Sequence, residues 1–592
     1  MNYSLSKQNN ANEKEKGVLY TAWKRLIPLM TEERKSVTIA LIAILVSSAS
    51  TLIVPVIIAH IVDVYIVAKN YSGVVFFSEI LFFVFLVGLI SSYIQVKTMG
   101  GVGRRLLFNL RNKIFNKLEE LPVEFFNQNK TGDLISRINN DTDKLNQFFA
   151  QALMQFISNM VLIVGTGILL LSINFKLGLI ALIPAIIALI TTQALSAWIK
   201  KTNLKSLQSL GAMSGEIQES INNFKVIVVF NRLDYFRDKF KIANELNYSA
   251  SIASGVASNT LNPIYTLAST LAQLLVLSFG IHLIGQNIFT VGLLIGFLLY
   301  VNSFYNPLRQ LASVWSSLQL ALAGLDRISE VLALESNMAT TTREEFTPSP
   351  SPTKNILEFR NVFFKYSDGE NILRNISFTL EKEKTYALVG PTGGGKTTTA
   401  SLMARLYDPT EGAIYLDGKN IKSYSSSERV KKIGFILQEP FLFTGTIHEN
   451  IIYGNEEYSN HSKEELLRTL EKSNLTKLLS RFSEGLETKI TSGGDSISLG
   501  QKQLIAFIRA VLRKPEILIL DEATANIDTI TEQLLEEILS TMPKETTKVI
   551  IAHRLNTIEN ADEIFFVNSG EIVSAGNIDH AMEMLLHTKR ES

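Results

Sequence analysis

No cysteine occurs in the 592 residues. Its absence excludes disulfides, thiol catalysis, zinc ribbons and iron–sulfur ligation together. Charge is scarce: 19% of residues are Asp, Glu, Lys or Arg while 46% are hydrophobic, against a typical ~25% charged in soluble domains. Low charge with a mean hydropathy of +0.18 excludes a disordered or acidic-tail protein. An excess of one sign is missing too. Lys+Arg 57 against Asp+Glu 56 leaves a net charge of +1, so no global basic field points to nucleic acid. Residues 1–36 are polar and mixed in charge, with no short apolar core followed by a small-residue cleavage site, which predicts no cleaved signal peptide.

What is present divides near residue 320. Before it lie six apolar runs, 37–61, 74–96, 152–173, 177–197, 264–285 and 287–311. Each has about 21–25 residues, or ~31–38 Å of helix, enough to cross a ~30 Å hydrocarbon core. The second carries Glu79 near its outer end, within reach of the interface. Segments 1–36, 97–150 and 198–260 hold most of the Lys and Arg of this half, among them Arg104, Arg105, Arg111, Lys113, Lys200, Lys201 and Lys205. The intervening loops hold Lys69 and Lys176. The asymmetry puts the N-terminus, both long loops and the C-terminal half in the cytoplasm. Residues 18–27 mix apolar and basic side chains and suit a short interfacial elbow helix. The long loops are too long to be connectors and carry helical periodicity, as in Leu106, Leu107, Leu110, Ile114 and Phe115. They predict spans that continue into the cytoplasm as helical hairpins. The expected domains are a leader and elbow over 1–36, a membrane domain over 37–335, a Pro-rich linker over 336–355 containing Pro348, Pro350 and Pro352, and a soluble domain over 356–592.

In the soluble half, Tyr386-Ala387-Leu388-Val389 reads as a buried strand running into Gly390-Pro391-Thr392-Gly393-Gly394-Gly395-Lys396-Thr397. This is a G-x-x-x-x-G-K-T loop between strand and helix. Its glycines let backbone N–H groups converge on phosphate, the helix N-terminus adds partial positive charge, and Lys396 reaches the terminal phosphates. The Thr397 hydroxyl suits Mg²⁺. A second buried strand, Ile517-Leu518-Ile519-Leu520, delivers Asp521 and Glu522 to its C-terminal end, where open α/β sheets bind ligands. Asp521 suits the Mg²⁺ shell and Glu522 the polarisation of an attacking water. A third strand, Val549 to Ala552, ends at His553, placed to meet a γ-phosphate. These residues predict an ATPase tethered to six spans.

Residues 497–503, Ile-Ser-Leu-Gly-Gln-Lys-Gln, are similar to the LSGGQ signature of ABC transporters. Gln438 matches that family's Q-loop, Tyr366 its adenine-stacking aromatic, Asp528 its D-loop and His553 its switch histidine. The segments Phe125-Phe126 to Gly132-Asp133-Leu134 and Ser136-Arg137, with Ala323, Asp326-Arg327-Ile328, look like the exporter type of membrane domain fused to its ATPase. The resemblance covers about residues 18–585. It implies an all-α six-helix membrane domain with long cytoplasmic extensions, followed by an α/β P-loop ATPase domain with an antiparallel β subdomain and a helical subdomain. It implies ATP held by Tyr366, Gly390–Thr397, Thr398 and Asp521, with Mg²⁺ on Thr397, Gln438 and Asp521, and Glu522, His553 and Gln438 serving catalysis. It also implies a second half-transporter, because each ATP is sandwiched between the P-loop of one subunit and the signature of the other, here Ser498, Leu499, Gly500 and Gln501, with Asp528 beside them. Ser498 and Gly500 open a helix whose N-terminus wants an anion.

Two departures from the family pattern bear on that partner. Ser492 stands where many homodimeric exporters carry glutamate, and the D-loop reads Ala525-Asn526-Ile527-Asp528 rather than Ser-Ala-Leu-Asp. Both resemble the catalytically complete subunit of heterodimeric exporters and favour a partner with a degenerate site; a homodimer is the alternative. The spans hold no deep Lys or Arg and no inward run of acidic residues or histidine, which argues against a proton relay. His60 and Asp63 lie near the outer end of the first span and read as packing or interface groups before gate groups. Asn159, Gln193, Asn262 and Gln273 suit bonds across helices, and Phe82, Phe83, Phe85, Phe304 and Met154 face lipid or an apolar cavity. A largely apolar pathway favours outward movement of amphipathic drugs, lipids or hydrophobic peptides. The alternative is an ATP-gated channel or regulator, which intact Glu522 disfavours. A leader-cleaving peptide exporter needs a cysteine this chain lacks, an importer is disfavoured by the fused architecture, and the spans exclude a soluble DNA-repair ATPase. Composition and the lack of an organelle leader suit a bacterial plasma membrane.

Overall fold

A computed structural model describes Tyr3, Leu5 and residues 27–336, 354–366, 369–473, 475–491, 497–521, 529–551, 561–576 and 578–591. Most of the expected elbow helix, most of the Pro-rich linker, Ser492 and its neighbours, Glu522 to Asp528, and His553 lie outside the described residues. The chain forms two compact units. One is Lys7–Leu118 with Gly132–Ala333; the other is Met1–Ser6, Glu119–Thr131 and Leu334–Ser592.

The first unit is helical. Its helices are α1 (Arg34–His60) and α2 (Tyr71–Glu120), whose last two residues enter the second unit together with the short α3 (Val123–Gln128). There follow α4 (Leu153–Ile173), α5 (Phe175–Asn222), α6 (Phe224–Val229), α7 (Leu233–Asn259), α8 (Leu261–Gly285) and α9 (Val291–Leu332). Among the described residues, six helical stretches are long and apolar enough to cross a membrane. Helix α2 has 50 residues and α5 has 48, about 70–75 Å at 1.5 Å per residue. That is over twice a bilayer core, so the spans do continue as extensions.

Small residues let the backbones of α1 and α9 touch. A Cβ on Gly292 would lie 2.3 Å from the Ala59 carbonyl oxygen, and one on Gly296 2.8 Å from that of Pro55. Only glycine fits such an approach. At the same end Asp63 accepts hydrogen bonds from the Gly292 N–H at 2.7 Å and from the Thr290 hydroxyl. It thereby satisfies orphan donors at the start of α9. This is a packing role for Asp63. Gln273 of α8 donates to Asn302 of α9 at 2.8 Å, a bond across helices.

Between α3 and α4 the chain is helical with two widened turns, Arg137–Asp141 and Phe148–Ala152. Here Arg137, 2% exposed, pairs with Asp133 at 2.9 Å and Glu330 at 2.9 Å and donates to the Arg327 carbonyl. Arg327 in turn pairs with Asp133 and lies 2.9 Å from buried Asp141. The two exporter-like segments of the sequence are therefore partners in one ion network. Burial forces the pairing, since an unpaired buried charge is costly.

Among its described residues the second unit holds three sheets, the smallest being the antiparallel pair β7 (Gly445–Thr446) and β8 (Lys489–Ile490). The four-stranded antiparallel one has order β2-β1-β4-β5, from β1 (Asn355–Phe364), β2 (Leu373–Glu381), β4 (Glu411–Leu416) and β5 (Lys419–Asn420). The largest has order β12-β11-β3-β10-β9-β6. Its strands are β3 (Thr385–Val389), β6 (Ile433–Ile436), β9 (Ile517–Asp521), β10 (Thr547–Ile551), β11 (Glu563–Asn568) and β12 (Glu571–Ser574). All but β12 run parallel. Both faces are covered, which explains the unbroken apolar runs. Tyr386, Leu388, Ile517, Ile519, Val549 and Ile551 enter the core shared with the antiparallel sheet. Ala387, Val389, Leu518, Leu520 and Ile550 enter the core shared with the helical subdomain. The helices used below are α10 (Lys396–Met403), α11 (Ile447–Ile452), α12 (Leu499–Val511) and α13 (Thr529–Thr541).

Candidate nucleotide site

The parallel order β3-β10-β9-β6 brings four strand ends to one edge. β3 leads into Gly390, β10 ends two residues before His553, β9 ends at Asp521 next to Glu522, and β6 ends two residues before Gln438. Ligands of open α/β sheets bind at such an edge.

Backbone geometry makes the glycines of loop 390–395 obligatory. Gly390 has φ +152° and its Cβ would lie 2.0 Å from the Val567 carbonyl oxygen; Gly393 and Gly395 have φ +82° and +111°. Gly394 has ordinary φ, but a Cβ there would meet the same Val567 oxygen at 2.6 Å. The loop turns over the end of β11 and opens α10. Lys396, 5% exposed, donates to the carbonyls of Gly390 at 2.8 Å and Pro391 at 2.9 Å. The Thr397 hydroxyl donates to Asp521 Oδ1 at 3.2 Å, and Asp521 is 2% exposed. A hydroxyl and a carboxylate converge beside a loop of backbone donors and a lysine, which is the donor set that a magnesium phosphate demands.

Tyr366 follows β1. Its hydroxyl lies 3.3 Å from that of Thr398, and its ring meets Tyr407 edge-on at 5.1 Å and Phe364 at 4.8 Å. Pro391 is half-buried, while Thr392 and Gln438 are exposed. The Gly390–Thr398 loop, Asp521 and Tyr366 are thus joined in one place.

The Ser498–Gln501 set is built differently. Ser498 caps α12: its hydroxyl accepts from the Gln501 N–H at 3.2 Å while Gln501 Oε1 accepts from the Ser498 N–H at 2.9 Å. This is a capping box. Gln501 also donates to the Arg481 carbonyl at 2.9 Å. Leu499 is half-buried and Gly500 is buried. Among the described residues, no hydrogen bond of Ser498 or Gln501 reaches loop 390–398; α12 packs on α11, β6 and α13. Its Arg509 donates to the Asn450 carbonyl at 2.8 Å and lies 5.5 Å over the Tyr453 ring. Burial pushes this guanidinium below its ordinary value, yet arginine stays charged. Phe441, Phe443 and Tyr453 remain exposed beside it.

A connection invisible in the sequence runs from this site to α3. Asn127 donates to the Tyr407 hydroxyl at 2.6 Å. Burial, then the neighbouring Tyr366, pushes the Tyr407 phenol up, so it stays protonated. Tyr3, 2% exposed, donates its N–H to Gln128 and its hydroxyl to the Glu335 carbonyl, and Leu5 donates to Asn129. Tyr3 and Leu5 are therefore tied to α3 and the residue that follows it rather than solvated.

Comparison with known proteins decides the family. The family model described as ABC transporter transmembrane region matches residues 37–308, and that described as ABC transporter matches residues 373–525. An uncharacterized ABC transporter ATP-binding protein of Bacillus subtilis, YfiC, is 33% identical over 569 residues, covering 95% of this chain and 92% of that one. The chain belongs to the ABC transporters. Among further relatives, the Lactococcus lactis multidrug resistance ABC transporter ATP-binding and permease protein is 31% identical, covering 82% of this chain and 81% of its own. A fatty acid ABC transporter ATP-binding/permease protein of Mycobacterium tuberculosis is 31% identical, covering 83% and 77%. A bacterial Atm1-family ABC exporter with ATP bound superposes with a TM-score of 0.77 at 24% identity, covering 94% of this chain and 96% of that one, which shows the fold.

This ABC exporter half thus carries an ATPase domain that binds ATP and couples its hydrolysis to transport. Half-transporters of this type work as dimers. Its membrane unit contains a cavity of about 670 Å³ among α1, α2, α4 and α9. Buried Met154 lines it, as does Asn159. Phe82, Phe83 and Phe85 are exposed on α2.

Proposed function

We propose that this chain is one half of an exporter that moves amphipathic or hydrophobic molecules outward by alternating access, driven by nucleotide-dependent closure of two ATPase domains. The observation that carries the reading is the Thr397–Asp521 contact inside a glycine cradle, at the sheet edge where the strands toward Glu522 and His553 also end. Relatives named for multidrug resistance and for fatty acids support an amphipathic cargo. Six spans and bacterial relatives support a bacterial plasma membrane, with the N-terminus and ATPase domain cytoplasmic.

Tyr366 stacks on the adenine, while the N–H groups of loop 390–395 and α10 hold the phosphates with Lys396 and Thr398. Thr397, Asp521 and Gln438 would hold Mg²⁺, which supplies neutralisation of phosphate charge. Glu522 orients and polarises the attacking water, and His553 meets the γ-phosphate. Ser498, Leu499, Gly500, Gln501 and Asp528 face the nucleotide of the other subunit, whose signature completes this chain's site. The capped N-terminus of α12 supports this role, because among the described residues Ser498 and Gln501 make no hydrogen bond to the phosphate loop. Ser492 and the Ala525–Asp528 D-loop favour a degenerate-site partner; a second copy of this chain is the alternative.

The test is ATP-driven uptake of a fluorescent amphipath into inverted membrane vesicles. Accumulation against a gradient is expected, with loss in Glu522→Gln, whose hydrolysis falls about 10²–10⁴-fold while ATP binding persists. A flux that only runs downhill on ATP binding would identify a gate instead.

A further inference from the structure

The membrane cavity departs from the apolar pathway that composition suggests. Among the described residues its lining includes six side-chain amides, Gln95, Gln151, Gln155, Asn159, Asn306 and Gln310, with five hydroxyls and no ionisable group. Two features show that it is built. Gln155 donates to Gln310 across α4 and α9 at 3.0 Å, which orients both amides. Asn159 is 5% exposed, and its Nδ2 has no acceptor among the described residues. A buried donor without an acceptor is a rarity that a ligand can resolve.

The cavity also has a direction. It shares Ser47, Thr51, Ser303 and Asn306 with a second cavity of about 490 Å³ lined by Val54, Val84, Phe85 and Leu89. That one shares Ser50 and Val84 with a third of about 460 Å³, lined otherwise by Val46, Ala49, Ile53, Ile80, Phe83 and Val87. Polarity therefore falls along the α1–α2 seam from an amide chamber to a trough that is aliphatic and aromatic but for Ser50. Among the described residues, no ionisable side chain lines any of the three.

We propose that these three cavities form one binding site for a single-chain amphipath with a neutral, hydrogen-bonding head, such as a polyol or amide. The head sits among the amides and the chain lies along the trough. Inside a membrane an unpaired charge is expensive, and the described lining offers no counter-ion. A carboxylate head or a quaternary ammonium head would lose its hydration with only dipoles to replace it. An uncharged head exchanges water for amides and hydroxyls at little loss. The inference deepens the export reading by naming the class of cargo.

The test uses the full chain in nanodiscs of uncharged lipid and three probes with one C12 chain: dodecanoyl-N-methylglucamide, dodecanoate and dodecyltrimethylammonium. Binding is measured by displacement of radiolabelled glucamide, corrected for each probe's partition into empty nanodiscs. The glucamide is expected to bind at least tenfold tighter than either ion. The double variant Asn159→Leu/Asn306→Leu should lose at least tenfold for the glucamide and leave dodecanoate unchanged, with ATP affinity intact as evidence of folding. Gln155→Glu, nearly isosteric, should tighten the ammonium probe about tenfold. Equal or tighter binding of an ion by the wild type overturns the proposal, as does an unchanged ranking in the folded double variant. Uptake into inverted vesicles that hold this chain together with its partner half separates the two readings. The expected ranking without ATP-driven uptake keeps the site and sinks export; uptake with an ionic preference does the reverse.

Discussion

At the scale of the residue, the glycines of the phosphate loop are distinguishable in what each one does. Gly390 answers both to φ +152° and to a Val567 oxygen 2.0 Å from any Cβ. Gly390→Ala should therefore open the loop and weaken ATP binding by more than tenfold, read by fluorescent-nucleotide titration. Strain and collision together are worth about 2 kcal/mol or more. Thr392→Ala, at an exposed position, is the control and should leave affinity nearly unchanged. Arg137 makes a second residue-level case. It is 2% exposed, but its carboxylate partners Asp133 and Glu330 are 40% and 37% exposed. Arg137→Ala should cost about 3 kcal/mol, at the low end for a broken buried pair because water screens the acids, and lower the melting temperature of the solubilised chain. Asp417 supplies a pH dependence. Its hydrogen bond to Lys382, at 2.8 Å, holds its carboxyl below the usual range against the opposing effect of burial. The folded group binds its proton less readily than the unfolded one, so its stabilisation is present above the ordinary carboxylate range and fades as pH falls through the lowered value. The stability gap between wild type and Asp417→Asn should be open at neutral pH and close in acid, as denaturant titrations at several pH values would show.

Elements explain how much of this was legible beforehand. The strand-loop-helix of residues 386–397 could be read directly, because a parallel strand buried on both faces leaves an unbroken apolar run and the loop leaves its glycines. Fold class and ATPase chemistry followed. Partnerships between distant elements could not be read. The exporter-like segments around Asp133 and Arg327 were visible as motifs, but that they pair with one another is a fact of packing. The amide chamber had a signal that went unused: Gln151, Gln155 and Asn159 recur every fourth residue, one face of a helix. The Tyr407–Asn127 bond had none, since neither residue is unusual where it stands. Tyr407 touches Tyr366 on one side and α3 on the other, so, on the proposal that Tyr366 stacks on adenine, it can report an occupied site to that helix. Tyr407→Phe keeps the ring contact and removes only the hydrogen bond. It should leave basal ATP hydrolysis within about twofold and reduce uptake into inverted vesicles several-fold, and Asn127→Ala should match it. Equal losses in hydrolysis and uptake would mean that the tyrosine merely supports the fold.

For the whole molecule, the open question is how many nucleotides one assembly turns over. The phosphate loop and Asp521 stand together, whereas the capped start of α12 bonds only locally among the described residues. On the proposed reading each chain brings a cradle for its own nucleotide and a signature for its partner's. If both subunits were this chain, two equivalent sites would form. If the partner is degenerate, one site hydrolyses and the other only binds. Trapping with vanadate and labelled ATP counts them, because vanadate holds product only where the γ-phosphate has been cleaved. With this chain and a degenerate half co-purified, about one nucleotide per pair of ATPase domains should be trapped, and Glu522→Gln in this chain alone should abolish trapping. This chain purified by itself should then hydrolyse no faster than its Glu522→Gln variant while still binding ATP. Robust turnover by the chain alone, with trapping abolished by the same variant, would instead mean that the departures at Ser492 and in the D-loop are compatible with a working homodimer.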